Sequence, residues 1–444
     1  MQRMHIGLDD TDSTRRGCTT YVAALLVQEL IKIGVTFLDY PCLVRLNPNV
    51  PWKTRGNGAL CIRIEYPENL EEQITGVTVR LVEEYSDLTW KGTDPGIVFL
   101  KTSEVQQEIT VFAKNAITGI VTLKEAIQLI RKFEGEALGY NTQRGIIGAL
   151  AAIGETLKED HTYELIAYRA PVNWGTKRRV EDASIFEMDE AVKPLTFNNV
   201  DTEKRRVIIT PRGPDPIFFG IRGETPETVK KAFSMVKTLE PVEKWVIFRS
   251  NQGTDAHLTR IESLNQILPY GTVIAKGVVS RNPEVIPLRH VIFTIKDELG
   301  KVDCAAYEPT GALRKVAREL IVGDTVEVYG AVRKASQGKP LTINLEKINV
   351  LKLAPKVLQQ NPVCPNCGKR LKSMGKGQGF RCKKCGSRFN EMTKVDVALK
   401  RDLKAGLYVT SARSQRHLTK PLRRYGLEKR DGTVESMIAR WHST

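Results

Sequence analysis

No stretch of this 444-residue chain approaches the run of about 20 apolar residues that a membrane helix needs, and the N-terminus carries no apolar signal-peptide core. A membrane protein is excluded by this reading and a cytoplasmic one is expected. Cysteine is sparse. Of eight, Cys18, Cys42, Cys61 and Cys304 are scattered and read as small buried hydrophobes, which excludes a disulfide framework. The chain has no GxxxxGK[ST] phosphate loop, no SGGxDS-type adenylating loop, no G-x-S-x-G and no H-E-x-x-H. Those absences remove P-loop nucleotide hydrolysis, the usual adenylation of bases, nucleophile-elbow hydrolysis and zinc proteolysis. Internal repeats and low-complexity tracts are also lacking. What remains, 41% hydrophobic and 27% charged, suits about three or four soluble domains.

Charge is the first positive signal. The net charge is +16, from 67 Lys+Arg and 51 Asp+Glu, yet residues 351–444 hold 22 of the bases and only 6 of the acids. The first 350 residues are neutral and the last fifth carries the whole excess. Such a block is an electrostatic footprint for nucleic acid, an anionic membrane being the weaker rival and a solvated tail the plain alternative. Within it lie Cys364-Pro-Asn-Cys367 and Cys382-Lys-Lys-Cys385, each followed by glycine (Gly368, Gly386). Two CxxC hooks at this separation can surround one tetrahedral Zn²⁺, and four thiolates leave no open position, so the site reads as structural. Lys369, Arg370, Lys372, Lys376, Arg381, Lys383 and Lys384 decorate it, with Phe380 and Phe389 interleaved, the pattern of an RNA-binding ribbon. Further on, Arg413, Arg416, Lys420, Arg423, Arg424, Lys429 and Arg430 read as a phosphate clamp or a solvated tail.

The second signal is MHIGLDDTDSTRRGCTTY at residues 4–21. A short apolar run ends in Asp9, Asp10 and Asp12, and a helical pattern opens at Cys18-Thr19-Thr20. Carboxylates at a strand end beside a helix N-terminus suit Mg²⁺ and a polyphosphate, more acids than a capped turn requires. Two loops could handle the same phosphates: Lys53 and Arg55 flanking Gly56-Asn57-Gly58, and Arg144-Gly145 ahead of a small-residue helix. Each is weak alone, since such helices usually mean close packing.

The remaining periodicities organise the chain. Residues 20–33 predict a helix ending before Gly34, 60–65 a strand, and 68–85 and 103–117 helices. From about 162 strands alternate with helices, one starting at Thr225-Pro226, as in a small α+β sandwich. Residues 270–353 give three strands, a helix and two strands, the order of an OB-fold barrel. The expected divisions are 1–158, 159–265, 266–354 and 355–444.

GLDDTDS with GCTTY, RLNPNVPWKTRGNGA, RGIIGALAAIG, FGIRGE and Thr254-Asp255-Ala256-His257-Leu258 together resemble the archaeal tRNA 2-agmatinylcytidine synthetases over nearly the whole length. The resemblance implies a multidomain α/β and α+β protein: a kinase-like domain, a ferredoxin-like domain, an OB-fold β-barrel and a zinc ribbon. It implies ATP-dependent attachment of agmatine to C2 of the wobble cytidine of the AUA-decoding isoleucine tRNA, through a phosphorylated C2 oxygen. On this reading Asp9, Asp10, Asp12 and Thr19 are catalytic, Thr19 being able to accept a phosphoryl group where an ordinary N-cap is the alternative. Lys53, Arg55, Gly56, Asn57, Gly58, Arg144 and Gly145 bind ATP and phosphate, with Mg²⁺. Asp189, Asp201, Glu224 and Asp255 are candidates for agmatine, and His257 reads as a core or hydrogen-bonding residue. Cys364, Cys367, Cys382 and Cys385 hold Zn²⁺, while the ribbon bases, Phe380, Arg423 and Arg424 bind RNA. A monomer is favoured. The rivals are a non-enzymatic OB-plus-ribbon RNA-binding protein and a small-molecule kinase.

Overall fold

The structure is a computed structural model, and it describes every residue except 337, 430, 431, 433–435 and 444. Arg430 therefore lies outside the described residues. Strand β1 (Gln2–Asp9) alternates its side chains between two covered faces. Met4, Ile6 and Leu8 enter one core with helix α1 (Thr19–Ile33), while Gly7 and Asp9 face the opposite layer. Helix α1 stops at Gly34, whose left-handed backbone (φ 87°) returns its N–H to the carbonyls of Leu30 and Ile31.

Five further strands of this half matter: β2 (Cys42–Arg45), β3 (Gly58–Tyr66), β4 (Gly96–Leu100) and, past helices α2 (Glu71–Tyr85), α3 (Gln107–Thr118) and α4 (Leu123–Lys132), β5 (Glu136–Gly139), with the short Thr36–Phe37 on the edge of β3. Helix α5 (Gly145–Gly154) lies flat on the strands. A Cβ on Gly7 would fall 2.2 Å from the Ala149 carbonyl oxygen, and one on Gly96 would fall 2.1 Å from the Gly145–Ile146 peptide. The small-residue pattern of α5 thus means close packing, as expected, and it also shapes the site.

The second region continues the same sheet. It contributes β6 (Thr162–Arg169), α6 (Asp182–Ala191), β7 (Thr196–Phe197), β8 (Ile217–Gly223), α7 (Pro226–Met235) and β9 (Val242–Ser250). Thr225 caps α7 from the N-cap position and Pro226 is its first residue, as the sequence predicts. The strand order is β5-β4-β1-β3-β2-β9-β6-β8-β7. The junction is the parallel β2–β9 pair, reinforced where the Arg45 N–H donates to Asn251 Oδ1 at 2.8 Å. The 158/159 division expected from the sequence is therefore crossed by one continuous sheet.

Residues 272–352 form β10 (Thr272–Ile286), β11 (His290–Lys296), β12 (Lys301–Ala306), α8 (Ala312–Glu319), β13 (Thr325–Arg333) and β14 (Thr342–Lys352). The order β10-β11-β12-β14-β13, with β13 pairing back to β10, closes the five strands on themselves. A two-stranded stalk, β15 (Lys356–Gln360) and β16 (Val395–Leu399), leads to and from the cysteine module. The chain then returns: β17 (Gly406–Val409) pairs with β14, and the following segment crosses to the first two regions. Trp441, 6% exposed, ends in the first core, its ring 5.2 Å from Phe37 and 6.1 Å from Tyr40. None of the described helices is long and apolar enough to cross a membrane.

Candidate functional site

Strand β1 delivers Asp9, Asp10 and Asp12 into one cleft with Lys53, Asn57, Gly58, Arg144 and Gly145. Two backbone features make this possible. Gly148 leaves room for Asp9, because a Cβ there would sit 1.9 Å from Asp9 Oδ2. Asp10 takes a left-handed conformation (φ 57°), which turns the chain out of the strand and sends its carboxylate to Thr54 Oγ1 (2.8 Å) and to the Asp94 N–H (3.0 Å). Asp12 pairs with Arg55 at 3.2 Å. Burial, with the neighbouring Asp10 charge, pushes Asp9 well above the usual carboxylate range. Burial pushes Asp10 up to about 7, against the hydrogen bonds from Thr54 and Asp94. Burial also raises Asp12, against Arg55. Three desolvated carboxylates at one strand end form an arrangement that a cation would stabilise.

Thr19 is the first residue of α1, and the N-cap is Cys18. The Thr19 hydroxyl accepts from Thr11 Oγ1 at 3.1 Å and lies 3.5 Å from Asp12 Oδ1. It therefore faces the acids and not the helix end, and the ordinary N-cap alternative falls away. Arg144 is forked onto Asp94 (2.6 and 3.1 Å) and lines the cleft from the start of α5. Arg55 and Gly56 line an adjoining cavity, which shares Lys53 and Leu46 with the cleft.

Several other expected site residues are placed elsewhere. Asp189 is buried and forked by Arg423 (2.7 and 2.8 Å). Asp201 is buried against Arg413 at 2.8 Å. Glu224 is buried against Arg424 at 2.7 Å. Asp255 binds the buried Lys347 ammonium and accepts from the Lys420 N–H at 2.7 Å. None of these four acids lines the carboxylate cleft, and each already has a cation of this chain, so none offers a free carboxylate to a guanidinium. The same pairs correct the RNA assignment: Arg424 is fully buried, and Arg423 is committed to Asp189. His257 is buried with Nε2 3.1 Å from Glu346, the hydrogen-bonding role expected of it.

The four cysteine sulfurs lie within 4.8 Å of one another, with Cys364–Cys385 at 3.6 Å and Cys367–Cys382 at 3.4 Å. Gly368 (φ 70°) and Gly386 (φ 78°) supply the left-handed turns after each hook. That donor set and spacing fit a tetrahedral Zn²⁺. Lys369, Arg370, Lys372, Lys376, Arg381, Lys383 and Lys384 all stand exposed around it. Phe380 does not join them. It is 7% exposed and packs on Leu371, Cys364 and Cys382, filling a core too small to spare an aromatic ring for stacking on bases.

Sequence reasoning missed the apolar wall of the cleft, which includes Val50, Trp52, Ile120, Val121 and Ile147. It also missed Asp94, Asp215 and Arg45. The TLKE capping box that starts α4, and so fixes the preceding turn, was a readable signal for Ile120 and Val121. Asp94 and Arg45 had none, since their roles depend on partners distant in sequence.

Comparison with known proteins matches nearly the whole chain. Family models match in order: the TiaS TCKD domain over residues 5–142, the TiaS FLD domain over 143–257, an OB-fold nucleic acid binding domain over 273–351 and the TiaS C-terminal zinc ribbon domain over 361–403. The chain is 43% identical over 429 residues to the isoleucine-tRNA 2-agmatinylcytidine synthetase TiaS of Methanocaldococcus jannaschii, covering 95% of this chain and 99% of that one. It is 42% identical over 428 residues to the same enzyme of Archaeoglobus fulgidus, covering 96% and 99%. Among solved structures it is similar to a complex of TiaS with its isoleucine tRNA and ATP (TM-score 0.88, 40% identity, 96% and 98% covered). It is also similar to a complex of TiaS with the same tRNA, AMPCPP and agmatine (TM-score 0.85, 38% identity, 96% and 98% covered).

Proposed function

The chain belongs to the isoleucine-tRNA 2-agmatinylcytidine synthetases, and from that premise we propose that it uses ATP to attach agmatine to the minor isoleucine tRNA. The observation that carries the reading at residue level is the cleft where Asp9, Asp10 and Asp12 meet Lys53 and Arg144, with the buried Thr19 hydroxyl 3.5 Å from Asp12. The target atom is C2 of the wobble cytidine. Its oxygen is a poor leaving group. Transfer of a phosphoryl group from ATP to that oxygen makes a good one. The agmatine amine then forms the C2–N bond, the C2–O bond breaks, and phosphate departs with the electron pair while the amine loses a proton.

Asp9, Asp10 and Asp12 would hold Mg²⁺, which supplies charge stabilisation to the transferring phosphoryl group when bound. Their crowding in a desolvated site supports that role. Lys53, which lines the same cleft, would supply a positive charge to the phosphates. The Thr19 hydroxyl would carry a phosphoryl group, a role supported by its position at the positive end of α1 and its 3.5 Å distance from Asp12. Trp52, Ile120 and Val121 give the cleft an apolar wall suited to the adenine face. Base chemistry at C2 requires the cytidine to leave its stack. The kinase-like, ferredoxin-like and OB-barrel descriptions, the divisions at 158, 265 and 354, a monomeric state and a cytoplasmic location belong to the same reading.

The test is incubation of the protein with the minor isoleucine tRNA, Mg-ATP and labelled agmatine, with label counted in the RNA. Asp10→Asn should retain tRNA affinity and lose about 10²-fold or more in turnover, the scale of a lost charge stabilisation. Thr19→Val keeps the shape and removes the oxygen, and full activity in it would end the phosphoryl role. RNA binding without ATP turnover would point instead to a binding protein. ATP turnover indifferent to RNA would point to a small-molecule kinase.

A further inference from the structure

Beside the acidic cleft, across Lys53 and Leu46, lies a cavity of about 450 Å³ with the opposite character. Arg45, Lys53, Arg55, Arg416 and His417 line it, and among the described residues no carboxylate does. Arg55 is committed to Asp12 and Asp215, but among the described residues the Lys53 ammonium donates only to the Arg55 carbonyl, at 2.9 Å. Arg416 reaches Asn49 at 3.3 Å and Glu346 no closer than 3.6 Å. The Arg45 Nε is buried with no hydrogen-bond partner among the described residues. Its Nη1 and the His417 Nε2 approach so closely that a Cβ on Gly56 would lie 2.8 Å from each. The glycine of the Gly56-Asn57-Gly58 loop therefore leaves room for a guanidinium and an imidazole nitrogen to come together.

His417 is partly buried and pushed well below the ordinary histidine range, by desolvation and by Arg45 and Arg222, so it is neutral. Arg222 can only donate, and its Nη2 lies 2.9 Å from His417 Nδ1. Nδ1 also lies 3.1 Å from Gln252 Oε1, so it is engaged on the Arg222 and Gln252 side while Nε2 is turned towards Gly56. Burial, with the nearby Arg416, also lowers Lys53 below its usual range. Cations gathered this way, with a buried N–H left unpaired, call for an anion.

We propose that this cavity is a phosphate site separate from the carboxylate cleft, closed by Arg416 and His417 from the segment beyond the zinc ribbon. Charge excludes agmatine from it. Two sources of phosphate fit: the backbone phosphate next to the displaced nucleotide, and the orthophosphate released when the amine displaces it, for which pyrophosphate serves as a polyanionic probe. The choice of sources rests on the proposed function, while the anion site itself rests on the cavity. It ties the C-terminal segment, more than 350 residues from Lys53 in sequence, to the chemistry of the N-terminal cleft.

The experiment uses the full chain with Arg416→Gln, Arg416→Lys and His417→Gln. Orthophosphate, pyrophosphate and the minor isoleucine tRNA are each titrated, the last across a range of salt, and thermal melting checks folding. If the cavity takes released phosphate, the Kd for pyrophosphate rises about tenfold in Arg416→Gln and recovers in Arg416→Lys, with tRNA affinity unchanged. If it takes a backbone phosphate, the Kd for tRNA rises about tenfold. The slope of log K against log salt then falls by roughly 0.7–0.9, the value of a single neutralised phosphate. Should Arg416→Gln fail to fold, His417→Gln carries the same measurement. Shifts below twofold for all three ligands in a folded variant overturn the proposal. Agmatine incorporation by the wild-type protein, measured alongside, decides the proposed function independently, because none of these titrations needs turnover.

Discussion

The basic C-terminal block contains two sets of cations that look alike in sequence and differ in everything else. In the ribbon, Lys369, Arg370, Lys372, Lys376, Arg381, Lys383 and Lys384 are among the cations that stand exposed, and none of these seven forms an ion pair among the described residues. Lys383 is held below the usual lysine range by Lys372 beside it, so these charges repel one another and await an outside polyanion. In the returning segment, Arg413, Lys420, Arg423 and Arg424 reach back to Asp201, Asp160, Asp189 and Glu224 of the second region. Their counterions are acids of the neutral first 350 residues. One composition therefore takes two forms: the ribbon leaves its charge exposed, as the proposed RNA contact requires, and the returning segment, a strap, pairs its charge with the first two regions while its strand joins the barrel. Net charge of a segment says how many cations it has but not where their partners are.

The widest separation between the two is expected on metal removal. Chelation should strip the ribbon of an apparent binding energy on the order of 10–16 kcal/mol, more than a four-residue core of Cys364, Leu371, Phe380 and Cys382 can replace. Hydrogen exchange should show residues 361–403 losing protection while the strap at 406–429 keeps it. Loss of protection in both together would mean that the strap docks only through a folded ribbon.

The converse perturbation is Arg424→Met. It leaves the buried Glu224 and the partly buried Asp160 around an uncharged side chain, and breaking such a buried pair costs about 3–5 kcal/mol. Denaturant melting should report the loss in the first two regions, with tRNA salt dependence preserved. A ribbon-like result, changed salt slope at unchanged stability, would return Arg424 to RNA binding.

A smaller effect is expected from acid. Burial opposes the Glu346 charge, but His257, Arg416 and Thr419 outweigh it, and the carboxyl titrates at about 2. A depressed folded value contributes stability above the unfolded value, about 4.3, and that stability is lost as pH falls from there towards about 2. Wild-type stability should drop across this window, less steeply in Glu346→Gln. Equal slopes in the two proteins would show that Glu346 does not anchor the strap.

What the sequence made legible follows the same divide. The thiolates, the Asp9-Asp10-Asp12 cluster, the Thr225-Pro226 helix start and the strand order of 270–353 depend on residue types at short fixed spacing, and each lies where expected. The pairing of Arg424 with Glu224 spans 200 residues, so no local pattern could signal it. Nor could one show that Asp189 and Asp201 are structural acids. The continuous sheet was hidden for a related reason. Its junction is the four-residue strand Cys42–Arg45, which reads as a loop until Val242–Ser250 is placed beside it. Thr19 lay between these cases: its position at the helix start was readable, and its hydroxyl's turn towards Asp12 was not.

The finest test of the comparison sets the exposed charges against the paired ones. Lys372→Gln, Lys383→Gln and Lys384→Gln combined remove three exposed ribbon cations, none with a carboxylate to strand. Folding should be unaffected, since exposed unpaired lysines contribute little to stability. The Kd for tRNA should rise about tenfold at moderate salt, and the slope of log K against log salt should fall by roughly 0.7–0.9 for each phosphate no longer neutralised. Arg413→Gln with Arg423→Gln, measured the same way, should lower the melting temperature through Asp201 and Asp189 and leave the slope within error of wild type. If the two variants instead gave matching salt slopes, the strap would be gripping RNA as well as the protein. Its buried ion pairs would then have to open on binding, and tRNA should protect the ribbon and expose the strap in the same exchange experiment.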